Sequence, residues 1–177
     1  IDNYGNIWIL STDFELSYFN QKTFINYNTE NSNLPTNKIY DIDMDEKSNL
    51  LWFVSDIGLG NFNGENVSTI DVNQEIIQFY KNSSRIKLRT NHGKIVVWRY
   101  GIGFSIYENG QLKHYTDKNG LTDDRILDID IDSKGNIWIA TDGSGVKKFD
   151  GSEYTDYGII DGVPTAETFS TFIDGLD

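Results

Sequence analysis

The sequence of 177 residues predicts an all-β protein, a β-propeller built of four-stranded antiparallel blades, on three observations. All four tryptophans, Trp8, Trp52, Trp98 and Trp138, stand at one phase, with spacings of 44, 46 and 40 residues. An aromatic residue closes the strand after each of them, at Phe19, Phe62, Tyr107 and Phe149. The dipeptides Asn63-Gly64, Asn109-Gly110 and Asp150-Gly151 follow, and such residues tolerate the positive φ of a tight reversal. A period of this size marks a supersecondary unit that buries its apolar face only against its neighbours, and four strands per period make a propeller blade.

The elements follow in order within each repeat. An inner strand alternates apolar and acidic residues, as in IYDIDMD at 39–45 and ILDIDID at 126–132, which is the period of a half-buried strand. The Trp strand comes next, NLLWFVS or GNIWIAT, then a shorter strand such as GVKKF, then an outer one such as TFINYN or QLKHYT. ETFSTFID at 167–174 reads as a further inner strand. Residues 1–177 thus read as one run of about four blades anchored on the four tryptophans, expected to be a piece of a larger propeller.

Composition excludes several classes. With no cysteine there is no disulfide or thiolate chemistry, and His92 and His114 alone do not make a zinc site. A formal charge of −12 argues against nucleic acid as a partner, since a phosphate-binding surface needs clustered cations. No apolar run approaches the roughly 20 residues of a spanning helix, so this segment is not expected to insert into a membrane. Asp130-x-Asp132-x-Lys134-Gly135 begins like a calcium loop, but its fifth position is lysine and no glutamate closes it. It reads instead as a turn with Gly135 in the left-handed position, and no metal or cofactor is expected. The tryptophans and Tyr27, Tyr115 and Tyr157 recur at fixed phase, as blade packing requires. No nucleophile motif surrounds any serine, so no triad is assigned and the chain is not read as an enzyme.

One repeat breaks the pattern. Between Glu75 and Glu108 there is no acidic residue, yet Lys81, Arg85, Lys87, Arg89, Lys94 and Arg99 lie there. Two readings stand. If Ile86 and Leu88 take the places of Ile129 and Ile131, then Arg85 and Lys87 fall level with the acids of adjacent inner strands and pair with them. Removing one partner of a buried pair costs roughly 3 to 5 kcal/mol. Alternatively the blade recognises an anion, with arginine as a planar donor and Tyr80 or Tyr100 as a stacking face.

The phrases D-x-x-G-N-I-W-I-x-T (Asp132 to Thr141), G-V-x-x-F-D-G (Gly145 to Gly151) and Y-T-x-x-x-G-L-x-x-x-x-I (Tyr115 to Ile126) resemble the two-component regulator propeller repeat. The resemblance runs along the whole chain, with three regular repeats and one irregular. It implies seven-bladed propellers in the periplasmic part of bacterial hybrid sensors that respond to oligosaccharides, and related surface proteins. The expectation is therefore a periplasmic or extracellular sensory module. Its expected partners are an oligosaccharide, anionic if the basic blade takes part, other domains of the same parent chain, and a second copy of the parent. The alternatives are a structural or docking propeller of a surface or secretion assembly and, more remotely, an enzyme like streptogramin lyase, which needs a metal and a histidine base.

In a propeller, the loops leaving the Trp strands and the linkers entering the next inner strands share one face. The candidate ligand-binding residues on it are Phe14, Lys38, Phe79, Tyr80, Arg99, Tyr100, Arg125 and Asp142. Phe14 is the leading aromatic, because it replaces the small Ser144 of the regular loop. The pairs Thr12-Asp13, Ser55-Asp56 and Thr141-Asp142 end Trp strands, and each aspartate is expected to accept hydrogen bonds from the backbone of the next turn.

Overall fold

A computed structural model describes residues 1–13, 15–70 and 86–174. Their regular structure is strand apart from two single 3-10 turns, Asp117–Asn119 and Ile159–Asp161. The first sheet holds β1 (Ile7–Leu10), β2 (Leu16–Phe19) and β3 (Phe24–Tyr27), and the second β4 (Ile39–Asp45), β5 (Leu50–Ser55), β6 (Gly58–Phe62) and β7 (Val67–Thr69). The third holds β8 (Ile86–Asn91), β9 (Lys94–Arg99), β10 (Gly103–Glu108) and β11 (Gln111–Tyr115), and the fourth β12 (Ile126–Ile131), β13 (Ile137–Thr141), β14 (Val146–Phe149) and β15 (Tyr154–Tyr157). Each sheet runs in chain order, and where an inner strand is present the Trp strand stands second. The chain divides into two compact units, Ile1–Gly93 and Lys94–Asp177.

In the first unit, Trp8, Leu10, Leu16 and Tyr27 of the first sheet pack on Ile39, Leu51, Phe53 and Phe62 of the second. Trp8 meets Phe62 edge-on, with centroids 5.7 Å apart. The second unit repeats this: Val96, Trp98 and Phe104 pack on Ile129, Ile131, Ile137 and Phe149, with Phe104 edge-on to Phe149 at 5.9 Å. Trp8 and Trp98 therefore lie between successive sheets, as the repeat phase predicts. Leu34 and Leu121, from equivalent linkers, plug the two cores at 4% and 0% exposure. Gly60 is set by the same packing: a Cβ there would stand 2.5 Å from the Phe53 ring and 2.9 Å from the Ser68 carbonyl.

The acids of the inner strands have a definite use. Within the first unit, Asp41, Asp43 and Asp45 accept the backbone N–H groups of Leu88, Thr90 and Gly93 at 2.9, 2.8 and 3.0 Å. Within the second, Asp128 accepts from the Ser170 hydroxyl at 2.7 Å and the Thr171 N–H at 3.2 Å, and Asp130 from the Ile173 N–H at 2.8 Å. Carboxylates thus satisfy backbone donors that would otherwise need a strand ladder. This corrects the reading of 167–174 as a regular strand. Glu167 bridges Asp142, and the segment then runs beside β12 without strand structure, its donors at 171 and 173 taken by side chains.

Asp132 holds its turn as expected, accepting from the N–H groups of Lys134 and Asn136 at 3.1 and 2.7 Å and from the Trp138 indole at 3.0 Å, with Gly135 at φ +80. In the basic repeat Ile86 and Leu88 are buried as predicted, and Lys87 approaches Asp41 at 3.8 Å. The Lys87 side chain is, however, 54% exposed, so the pair is a surface one and the 3 to 5 kcal/mol scale of a buried pair does not apply to it. Arg85 and Lys81 lie outside the described residues.

Candidate ligand-binding site

The second unit gathers three of the eight sequence candidates. Tyr100 leaves the end of β9, Arg125 ends the linker into β12, and Asp142 follows β13. The Tyr100 hydroxyl donates to Asp142 Oδ2 at 2.7 Å, and the Asp142 N–H donates to the Arg125 carbonyl at 2.9 Å. The Gly101 N–H donates to the Asp124 carbonyl at 2.8 Å, so the loop after one Trp strand is tied to the linker of the next blade. That is the shared face the sequence predicts.

Arg125 is oriented by a residue that sequence reasoning missed. Its Nε and one terminal nitrogen donate to the two oxygens of Asp123, each at 3.1 Å, and its backbone N–H adds a bond at 3.0 Å. Such a bidentate fork fixes the guanidinium plane. Burial pushes the Asp123 carboxyl up, but the bonds from Arg125 and Ser144 outweigh it and hold the group below the usual carboxylate range. The bond to Asp142 raises the Tyr100 phenol and keeps it a neutral donor. Gly143 lets the guanidinium lie close over the loop, since a Cβ there would meet it at 3.0 Å, and its φ of +114 suits glycine. The signal for Asp123 was present as an acid two residues before arginine in the linker.

Asp56 and Asp142 do not accept from the next turn's backbone as expected. The preceding hydroxyls do that work. Ser55 donates to the Gly58 carbonyl at 3.1 Å, and Thr141 donates to the Gly145 carbonyl at 2.8 Å while accepting from the Ser144 N–H at 3.1 Å. Asp56 and Asp142 are thereby left to face other segments: Asp56 accepts from the Thr36 hydroxyl at 2.8 Å, and Asp142 from Tyr100. Lys38 occupies in the first unit the place of Arg125, its carbonyl accepting from the Asp56 N–H at 3.3 Å and its side chain exposed. Arg99 ends β9, half-buried. Phe14, Phe79 and Tyr80 lie outside the described residues.

His92 sits exposed in the turn after β8 with φ 52, and His114 on β11 is bonded through Nδ1 to the buried Ser105 hydroxyl at 2.9 Å. Among the described residues no group of three or more His, Cys, Asp or Glu side chains is placed to hold a metal ion, and no helix is long and apolar enough to cross a membrane.

Comparison with known proteins agrees with the propeller fold. Residues 120–143, which span the Asp123–Arg125 linker, β12 and β13, match the family described as two component regulator propeller. Among solved structures, the chain is similar to the extracellular domain of a protein described as a hybrid two component system of B. thetaiotaomicron (TM-score 0.68, 22% identity, covering 96% of this chain and 24% of that one). It is also similar to an extracellular domain described as belonging to a one component system of the same organism (TM-score 0.65, 17% identity, 98% and 24% covered). Virginiamycin B lyase from Staphylococcus aureus shares the fold at 12% identity (TM-score 0.65, 89% and 53% covered). The chain spans about a quarter of the length of the two extracellular domains. No curated protein matches the sequence. Its four antiparallel sheets are propeller blades, and at residues 120–143 the chain carries the repeat of the two component regulator propeller family.

Proposed function

We propose that the chain is a non-enzymatic, ligand-binding part of a sensory propeller exposed outside the cytoplasm, and that its loop face contacts an oligosaccharide. The observation that carries this reading is the bond between Tyr100 and Asp142 beside the Asp123–Arg125 fork. Side chains from three separate segments meet there on an exposed surface, each oriented by a partner, which is how a repeat scaffold presents a recognition site on its loops. The turn after β13 is closed by the Thr141 hydroxyl without use of the Asp142 carboxylate.

Charge narrows the ligand class. Arg125 is already matched by Asp123, and Asp142 adds a second carboxylate, so this group is net negative. It favours an uncharged ligand rich in hydroxyls over a uronic acid or sulfated sugar, with carboxylate oxygens as acceptors and the guanidinium edge as donor. The likeness to extracellular domains of two component systems supports a sensory parent, in which neighbouring domains or a second copy complete the response. A binding screen of the parent protein against neutral, uronic-acid and sulfated oligosaccharides tests this. Saturable binding of a neutral oligosaccharide is the expected result, and binding confined to acidic sugars, or no binding at all, rejects it.

A further inference from the structure

Three linkers of the chain close in the same way. The Lys38, Arg125 and Glu167 N–H groups each donate to a side chain two residues earlier, to Thr36 at 3.1 Å, Asp123 at 3.0 Å and Thr165 at 3.2 Å. That shared bond aligns the residue just before each acceptor, and there the linkers differ. Pro35 and Pro164, the two prolines of the chain, stand in two of them and Thr122 in the third. A proline ring fixes φ at about −65° and so stiffens the segment it enters. Threonine brings no such constraint. The Thr122 N–H takes no protein partner among the described residues, so a proline at that place would remove no bond.

The linker with threonine leads into the sheet that buries a lysine. Lys147 on β14 is 2% exposed, and its Nζ donates to Thr122 Oγ1 at 2.6 Å and to Asp156 Oδ1 at 2.7 Å. The bond to Asp156 belongs to a pairing that other sheets make without lysine. Their third and outer strands join through Ser17 and Asn26 at 2.8 Å, and through Ser105 and His114 at 2.9 Å, each pair facing across the register as Lys147 faces Asp156. In the sheet that Pro35 leads into, the place is taken by Gly60, which like Lys147 faces the residue after the tryptophan. Pairing of the two strands therefore needs no ammonium here, and burying one is costly unless it is fully bonded. What lysine adds over serine is reach, because its charge-assisted bond to Thr122 ties the third strand to the linker.

We infer that Lys147 is a positioning residue of the loop face: its bond to Thr122 does in this linker what a proline does in the other two, and so holds the next residue, Asp123, where its carboxylate forks Arg125. Naming Arg125 as a ligand contact rests on the oligosaccharide reading above, whereas the action of the lysine on Arg125 does not. The route is short. Lys147 bonds Thr122, Thr122 is joined by one peptide bond to Asp123, and both Asp123 oxygens accept from the guanidinium.

The other linkers supply the rescue. The rate at which phenylglyoxal modifies Arg125 in the parent protein, followed by peptide mass spectrometry, reads the fork directly, since a guanidinium held at two nitrogens has fewer free to react. Asp123→Asn, which keeps one acceptor and breaks the fork, sets the scale. Thr122→Val and Lys147→Ser are each expected to raise the rate roughly threefold, as Asp123→Asn does, by freeing the charge-assisted pair. Thr122→Pro should react at the wild-type rate, and adding it to Lys147→Ser should restore that rate, because the proline makes the lysine dispensable. Overturning results are a wild-type rate in Thr122→Val, a raised rate in Thr122→Pro, a Lys147→Ser rate that Thr122→Pro does not restore, or a wild-type rate in Asp123→Asn, which would leave the lysine no fork to set. Melting temperatures confirm that each variant is folded, and should Lys147→Ser not fold, Thr122→Val and Thr122→Pro decide alone. No sugar enters this test, so a failed oligosaccharide screen leaves its result standing, and a failed rate test leaves the screen's.

Discussion

The carboxylate of Asp43 on β4 accepts the backbone N–H of Thr90 on β8 at 2.8 Å, 47 residues away in sequence. The same relationship holds two residues earlier, between Asp41 and Leu88. A backbone donor left unpaired in a partly buried seam costs about 1 to 3 kcal/mol. Asp43→Leu is therefore expected to destabilise the protein by an amount in that range, and Asp43→Asn, which keeps an acceptor oxygen, by less. Denaturant unfolding of the two variants checks the order.

The same seam fixes a pH dependence. Burial raises Asp41 and Asp43 above their ordinary value of 3.8, with the bonds from Leu88 and Thr90 only partly offsetting it. A carboxyl with a raised folded pKa takes up its proton more readily in the folded state. The two groups therefore favour folding most below 3.8, and that contribution is lost as pH rises through the raised folded values. Replacing both with Asn should remove this component, so the stability difference between wild type and variant should change across that window and level off above it. Melting curves from pH 3.5 to 7 provide the comparison.

The Lys87–Asp41 pair predicts a small effect by contrast. With the lysine side chain half in water, Lys87→Gln should cost under about 1 kcal/mol, and less again at high salt. A loss of several kcal/mol would mean that the lysine carries a buried contact.

Gly60→Ala tests the blade packing. Its added methyl group would overlap the Phe53 ring and the Ser68 carbonyl, and overpacking of this kind costs roughly 1 to 3 kcal/mol. Gly110→Ala is the companion measurement, since nothing lies within 4 Å of its Cβ position and only the positive φ opposes it.

His114 gives a second and opposite pH signature. Burial lowers its pKa from 6.5, and the backbone bond at Phe104 only partly restores it. The folded state holds the neutral ring, so this stabilisation is present above 6.5 and lost as pH falls through the lowered folded value. His114→Gln should flatten the decline in melting temperature below neutrality while keeping a partner for Ser105.

Much of the fold was legible because a propeller repeats its packing. One tryptophan phase and one aromatic phase sufficed to place Trp8 against Phe62, and the linker leucines followed. What one strand does to another at a distance was less legible. The alternating acids read as the solvent face of a half-buried strand, whereas Asp43 and Asp130 serve the backbone of the neighbouring segment, a use visible only once register across the seam is known. For the same reason 167–174, with the pattern of a strand, lacks the ladder of one. At the candidate site, Tyr100, Arg125 and Asp142 could be named from their loop positions. Asp123 could not, because the linker was read through its glycine, leucine and isoleucine, and its acid matters only through the guanidinium it orients.

The most direct test of the proposed function compares affinities at the loop face. Calorimetric titration of the neutral oligosaccharide identified by the screen is made on wild type and on the double variant Arg125→Ala, Asp142→Asn, with melting temperatures of both. Loss of two charge-assisted hydrogen bonds should weaken binding at least tenfold while the fold persists, because Arg125 is exposed and Asn at the half-buried position 142 keeps an acceptor for the Tyr100 hydroxyl. Undiminished affinity in a folded double variant would contradict the assignment of the loop face as the recognition surface.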